Sequence, residues 1–387
     1  MGTEWEDHII GRTLAIESYG NKVARDLTRI SMTAVNRLRR RMERISEKSQ
    51  FTRGFLHRVI GELSGTIYKL APKYQKTLEK ASLRVLELEY DKFTRVMRKK
   101  GGLSIKKANY KVPVEAAKAM LEEPIGGASI KGWAEKHLGR LLIRTKNLLT
   151  EVVITGGTMR DGIKILRENI PNMSRKGAQF LARTGVMHAS NTARDEVWKE
   201  YGDIIEKFRV VSTLDNRTCL ACGKIDGKEA KKRENLPKFP LHGNCRCTVI
   251  GLTALDLRDE DKLVRPAVIE QTSHTVHHRD GGTSKKFKVI KSKEVSAKKK
   301  FKDFFERQPE KWKQEYLGPG RYKLYKENRL DLEDFSSNGN ILTLEQLKSQ
   351  LTIMGTLEKE VVEKEKERKK EVKKIIRKKE AEKKNPK

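Results

Sequence analysis

All four cysteines of the chain fall within one stretch, residues 208 to 248. Cys219-Leu-Ala-Cys222 comes first, and about twenty residues later follows His242-Gly-Asn244-Cys245-Arg246-Cys247. Four thiols and one imidazole gathered from two short segments have the arithmetic of a tetrahedral metal site. Thiolate and imidazole suit zinc, and a C-x-x-C knuckle supplies half of its shell. Cys245 and Cys247 stand two apart, so on a strand they share a face, and the backbone must bend to bring both to one ion. Gly243-Asn244 offers that turn. The shell is then the four cysteines with His242 beside them, or Cys3His with His242 replacing Cys245 or Cys247. Disulfides or four buried reduced thiols are the bland alternatives; disulfides are rare in the cytosol, and nothing here looks secreted. A shell filled by three or four thiolates leaves no open position for water, so the zinc is expected to be structural.

Asp215 and Asp226 are the carboxylates that could activate water beside a metal. With the shell already filled, Asp215, Arg217, Asp226 and Arg246 are instead assigned to bracing the knuckle, and no catalytic residue is expected. His188 is five residues beyond Arg183, on another helix face, and is expected to be packed. His274, His277 and His278 sit in a polar loop with Asp280, too isolated for a second site.

These residues also carry a resemblance. Asp215-x-Arg217-Thr218-Cys219-x-x-Cys222, Asp226-Gly227 and His242-Gly-Asn244-Cys245-Arg246-Cys247 together resemble the signature of the Mu F-type phage head morphogenesis proteins, the minor head proteins of tailed bacteriophages. Ala182-Arg183-Thr184, followed by Asn191, resembles the helix that precedes the cysteines in that family. The usual Glu is Gly185 here, so Arg183 needs another partner, and Asp215 is the candidate. The resemblance spans roughly 125–250. It implies a low-copy capsid component and not an enzyme, found in the virion after assembly in the host cytoplasm. Its implied partners are the portal protein, capsid or scaffold proteins, and packaged double-stranded DNA bound without sequence preference.

Composition is compatible with that. The 387 residues allow two or three domains, and the formal charge is +32 with 35% charged residues. So large a positive excess favours a polyanion: nucleic acid first, an acidic protein surface second, an anionic membrane third. No run of eighteen apolar residues exists, so no membrane span is expected. Met1-Gly-Thr-Glu-Trp-Glu-Asp7 lacks a signal-peptide pattern, and Glu6 occupies the Ser/Thr place that myristoylation of Gly2 requires.

The elements that must position the cysteines are mostly helical. Residues 1–110 read as long helices, with Leu83, Leu86, Tyr90, Phe93 and Met97 as a bundle seam and Glu87, Glu89, Lys92 and Arg95 on its flanks. A coiled coil is the alternative use of that seam. Arg37-Leu-Arg-Arg-Arg-Met-Glu-Arg44 reads either as a solvated helix or as a contact with DNA phosphates. A helix over 129–155 stops at Gly156-Gly157. Thr158 with Asp161 caps the next helix, Ser174 starts another, and Gly202 ends it. Ala178, Ala182, Gly185, Ala189 and Ala193 form a stripe for close helix packing. Phe208-Arg-Val-Val-Ser is a strand that delivers Asp215.

The expected organisation is a mainly α protein with an N-terminal helical bundle, a small zinc-stabilised α/β knuckle, a small C-terminal helical module and a charged helical tail. Its parts are a long-helix region 1–110, a Mu F-like domain 111–253 with the knuckle at 208–250, and a basic linker 254–297. A helical module 298–352 and a Lys/Glu-rich tail 353–387 complete it. In the module, Gln308-Pro309, Leu317-Gly318, Arg321-Tyr322, Leu332-Glu-Asp334 and Thr343-Leu344 are similar to a C-terminal segment of many such head proteins. Two other classes compete: a zinc-associated nuclease, which needs an open divalent site, and a zinc-ribbon DNA-binding regulator, which needs a base-reading helix.

Overall fold

The computed structural model describes residues 4–46, 48–107, 109–125, 127–260, 264–277, 283–337, 340–353 and 368. It is mainly helical with a small antiparallel sheet. The tail beyond 353, Arg368 apart, lies outside the described residues, as do the side chains of His274 and His277 and all of His278. Two compact units divide between Phe304 and Phe305, inside the stretch read from sequence as one module.

Four long helices build the first unit: α1 (Glu4–Met42), α2 (Arg53–Lys100), α4 (Ile130–Ile154) and α5 (Met159–Glu200), with the short α3 (Val114–Glu122) between them. Contacts of Arg12 with Glu89 and of Arg41 with Glu62 set α1 antiparallel to α2. The α2 seam is bundle core, since Leu86, Tyr90, Phe93 and Met97 are all buried. Glu89 is not on its flank, however. It is fully buried, bonded to Arg12, to Ser190 and to Arg194 of α5. A carboxylate in phase with buried Ser82, Leu86 and Phe93 must face the core, and the two arginines make that position tolerable.

Packing around α5 follows from its small residues. Ala178, Ala182, Ala189 and Ala193 have no exposed surface, and a Cβ on Gly185 would lie 3.1 Å from Ser82 Oγ of α2. On its other side Gly20 of α1 lets the backbones close, because a Cβ there would meet the Arg183 Cα at 3.1 Å. The capping box of Thr158 and Asp161 starts α5. Ser174 does not start a new helix. α5 runs unbroken through Pro171, and Ser174 is buried with its hydroxyl 2.6 Å from that of Ser31. A hydroxyl that finds a partner on the neighbouring helix has no need to cap its own. At the far end, Ser129 caps α4 and Gly156 (φ 67°) closes it. The α1–α2 connection pairs with that turn through Phe51 N–H to Gly157 O and Met159 N–H to Ser49 O.

Beyond α5 lies a three-stranded sheet in the order β2-β1-β3, with β1 Ile205–Val211, β2 Glu229–Ala230 and β3 Thr248–Thr253. β1 and β3 are antiparallel, with Val211 opposite Thr248. Between them the chain forms α6 (Leu220–Ile225), and after β3 it forms α7 (Ala254–Arg258). Residues 254–297 are not a linker, as their composition suggested. They hold β4 (Val264–His277) and β5 (Thr283–Ser296), paired over their whole length in an antiparallel hairpin. Alternating Lys and Val/Ile in 284–293 is strand patterning, and the partner strand was hidden by its polar composition. The hairpin is rooted: Val268 N–H donates to Leu214 O at 2.9 Å, and Arg265, Ala267 and Ala297 are buried.

α8 (Phe301–Glu306) spans the division between the units. In the second unit α9 (Glu310–Lys326) bends at Gly318, whose φ of 73° is open to glycine. Phe305 packs on Trp312, Tyr316 and Tyr325. The paired caps at Asp331/Asp334 and Thr343/Gln346 form as their spacing predicts. Two-residue strands β6 (Ser336–Ser337) and β7 (Asn340–Ile341) pair beside them.

Candidate metal centre

The C-x-x-C pair sits where a strand gives way to a helix. Cys219 is the N-cap of α6, and its sulfur accepts from the Cys222 N–H at 3.4 Å. Capping by sulfur orients Cys219 and Cys222 to the same side of a single helical turn. The second segment reaches them across a turn in which Asn244 takes φ 61°, a left-handed conformation that Asn tolerates. Gly243 lies so close to α5 that a Cβ would run into the Phe180 ring. The same approach lets the Asn244 N–H donate to Thr184 Oγ1 at 3.0 Å. Three residues past Asn244, Asn191 Nδ2 donates to Cys247 O at 3.3 Å. α5 therefore holds the second ligand segment at two points two turns apart.

The donors converge in two overlapping groups, Cys219–Cys222–His242 and Cys222–Cys245–Cys247, each with its ligand atoms within 4.8 Å of one another. His242 Nε2 lies 3.1 Å from Cys219 Sγ and 3.2 Å from Cys222 Sγ. Cys222 and Cys245 sulfurs are 3.8 Å apart, the separation of two ligands about 2.3 Å from a tetrahedral ion. All four cysteines are free thiols, so no disulfide joins them. His242 Nδ1 is 2.9 Å from the Gly243 carbonyl. Donation to that carbonyl puts the ring proton on Nδ1 and leaves the Nε2 lone pair aimed at the sulfurs, as a metal-ligating imidazole requires.

Proton affinities in the cluster are split. The hydrogen bond from Cys222, helped by His242, holds Cys219 down at about 4. Cys222 is pushed up by Cys219, Cys245 and Cys247. Cys245 is held down chiefly by Cys222, while Cys247 stays up, its bond with Cys222 outweighed by Cys245 and burial. His242 rises to about 9, mainly through its bond with Cys219. With protons alone, crowded sulfurs must divide into thiolates and thiols, because like charges this close cannot all form. A divalent cation removes that conflict, and the Cys/His donor set could hold one.

Around the sulfurs the charged residues are paired. Arg246 grips Asp215 with both terminal nitrogens at 2.7 and 2.6 Å, and Asp215 also accepts from the backbone N–H of Arg217 and Thr218. Burial pushes the Asp215 carboxyl up, but Arg246 and Arg217 outweigh it and its pKa is lowered. Arg217 reaches away from Asp215 to Glu17 of α1. Glu17 is also 3.6 Å from Arg183 and 3.9 Å from Arg246. Burial opposes ionisation of Glu17, yet the three guanidiniums together hold its pKa below the usual carboxylate value. Arg183 thus does not pair with Asp215. It bonds Asn21 at 2.8 Å and faces Glu17, since Arg246 already occupies Asp215.

Asp226 does more than turn the chain. Fully buried, it accepts from Ser212 N–H at 2.7 Å, Phe301 N–H at 2.8 Å and Arg265 Nη2 at 3.0 Å. Arg265 in turn donates to the Ser212 and Lys299 carbonyls. Phe301 lies fully buried against Gly223 of the ligand helix, where a Cβ would collide with its ring. Ser212 Oγ is 3.2 Å from Cys247 Sγ. Asp226 therefore joins the Cys/His cluster, the hairpin root and Phe301. His188 is packed, with Nε2 3.0 Å from Met120 O and burial lowering its pKa.

Sequence reading missed Glu17, Ser212, Arg265 and Phe301 at the cluster, and named Thr184 without its contact to Asn244. Only Glu17 left a local trace, as a charge in phase with buried Thr13, Ala24 and Ser31 on α1. No curated protein and no solved structure matches the chain. The family model described as Phage Mu protein F like protein matches residues 144–250, from within α4 through β3. That segment contains every Cys and His donor of the cluster and the α5 residues that hold them, and over it the chain is similar to the Mu F-like family of phage head morphogenesis proteins.

Proposed function

We propose that this chain is a minor head protein of a tailed bacteriophage, a structural component that takes part in head assembly and is carried in the virion. The observation that carries this reading is the family match over the segment that holds the Cys/His cluster. Its metal is zinc with a structural role, held by four of Cys219, Cys222, Cys245, Cys247 and His242. The chemistry zinc supplies there is cross-linking alone: the ion ties α6 to the segment before β3, and a sulfur-rich shell leaves no coordination position for a reacting water. Asp215 and Asp226 are saturated by Arg246, Arg265 and backbone donors, which supports bracing over catalysis. The partners are the portal protein at its vertex, the inner capsid or scaffold, and packaged duplex DNA, for which the net charge of +32 is suited.

Three measurements test the reading, one of them detection of the chain in purified virions. Elemental analysis of protein purified under reducing conditions is expected to give one zinc per chain. Co-purification with the portal of the same phage is expected at low salt. Absence of zinc removes the clamp, and absence of the chain from purified virions removes the head-protein role altogether.

A further inference from the structure

Between the end of α1 and the start of α2 lies an open cleft of about 870 Å³. Arg37, Arg40 and Arg41 line it from α1, Arg44 from the turn that follows, and Glu62 and Lys69 from α2. All six are exposed, and Arg41 alone is paired, with Glu62. Among the described residues no ion pair forms with Arg37, Arg40, Arg44 or Lys69. Among the described residues, then, four cations of the cleft have no ion-pair partner.

Structure alone does not account for them. The favourable interaction of cations with a helix C-terminus covers only the last turn of α1. Arg37–Arg40 and Arg37–Arg41 are like-charge pairs at helical spacing within α1, each costing an isolated helix about 0.2–0.5 kcal/mol. Exposed Lys22, Arg25 and Arg29 continue the stripe toward the N-terminus in the same helical phase. From Lys22 to Arg41, within α1, it is about 28 Å long at 1.5 Å per residue, and Arg44 extends it past the helix end. One turn of duplex DNA covers about 34–36 Å. The apolar residues of the cleft, Ala34, Leu38 and Leu63, are buried beneath the charges and offer no anchor. Protein interfaces centre on such anchors, whereas phosphate backbones are held by cations alone.

We propose that the α1–α2 cleft and the stripe that extends it are where this chain grips duplex DNA, by the phosphate backbone and without reading bases. The proposal rests on the DNA-contacting role proposed above and assigns it to one surface. That surface is outside the family-matched segment, which begins at residue 144.

The test is the salt dependence of full-length protein binding a random-sequence 30-base-pair duplex, followed by fluorescence anisotropy. The cleft variant is Arg37→Gln/Arg40→Gln/Arg44→Gln. Its control, Lys118→Gln/Lys131→Gln/Lys146→Gln, removes equal charge from exposed positions elsewhere on the same unit. Gln is a good helix former and these side chains are exposed, so neither variant is expected to melt below the wild type. Each lost phosphate contact reduces the slope of log K against log salt by about 0.9. The cleft variant is expected to lose about 3 from the slope and the control less than about 1. Equal losses in both variants overturn the assignment to the cleft while DNA contact itself survives. Failure of the wild type to bind duplex at low salt sinks the underlying DNA role as well. Equally tight, Arg-dependent binding of a polyglutamate chain also overturns the proposal, by making the cleft a docking site for acidic protein.

Discussion

Asp226→Ala is the most informative single change, because one carboxylate joins three parts of the fold. The substitution removes the acceptor of Ser212 N–H and Phe301 N–H and the counter-charge of Arg265, whose side chain is 1% exposed. An uncompensated buried charge costs about 3–5 kcal/mol. Two stranded backbone donors would cost about 1–3 kcal/mol each, though partial opening lets water reach them. Because these penalties share one site, they do not add, and about 5 kcal/mol is expected. That is a large part of the about 5–15 kcal/mol that holds a domain together. Urea denaturation reads the loss, and amide hydrogen exchange locates it. Ser212, Val268 and Phe301 should lose protection, while the α1, α2 and α5 cores keep theirs. Arg265→Met alone should also destabilise, but the double variant should cost less than the two single changes summed, with a coupling of about 2–3 kcal/mol. A cost below about 1 kcal/mol for Asp226→Ala, or a coupling of zero, would refute the view that this pair pins the hairpin root to the metal cluster.

Further outcomes are expected elsewhere. Cys222 belongs to both donor groups, so Cys222→Ser should remove the bound metal and loosen 212–250 while helical circular dichroism persists. Metal retained at full stoichiometry would count against it. Gly177→Ala would drive a Cβ into the His137 ring and should cost at least about 1–3 kcal/mol; His137→Ala in the same chain should recover much of it, and thermal melts decide. Burial lowers the pKa of His137 from 6.5 to about 4, so the unfolded chain binds the extra proton between those values. Stability should therefore be complete above about pH 6.5 and fall by about 3 kcal/mol toward pH 4. His137→Leu should flatten that part of the profile, and an unchanged acid limb would exclude His137 as its source.

What the sequence disclosed depended on the range of the interaction. Cys219 with Cys222, the Thr158–Asp161 box and the glycine stop after α4 are all fixed by residues within a few positions of each other. The alanine stripe was legible because helical period alone predicts which face is buried. Glu89 was misplaced because its two arginines come from α1 and α5, 77 and 105 positions away. Ser174 was misread for a similar reason, since its partner Ser31 lies 143 positions off. The hairpin escaped because each of its strands looks polar alone, and only pairing satisfies their backbones. Within the cluster, composition and spacing named the donors. The supports from Glu17, Arg265 and Phe301 come from segments whose local sequence says nothing of sulfur.

Those supports separate what is inherited from what can stand. The recognisable segment 144–250 contains all five donors, yet the counter-charge of Arg217 lies in α1, and Asp226 leans on residues 265 and 301. Excised, it would lose the Glu17 partner of Arg217 and the Arg265 and Phe301 donors to Asp226. During synthesis the ion could be captured as soon as Cys247 emerges, but the centre could lock only some fifty residues later, once Phe301 arrives.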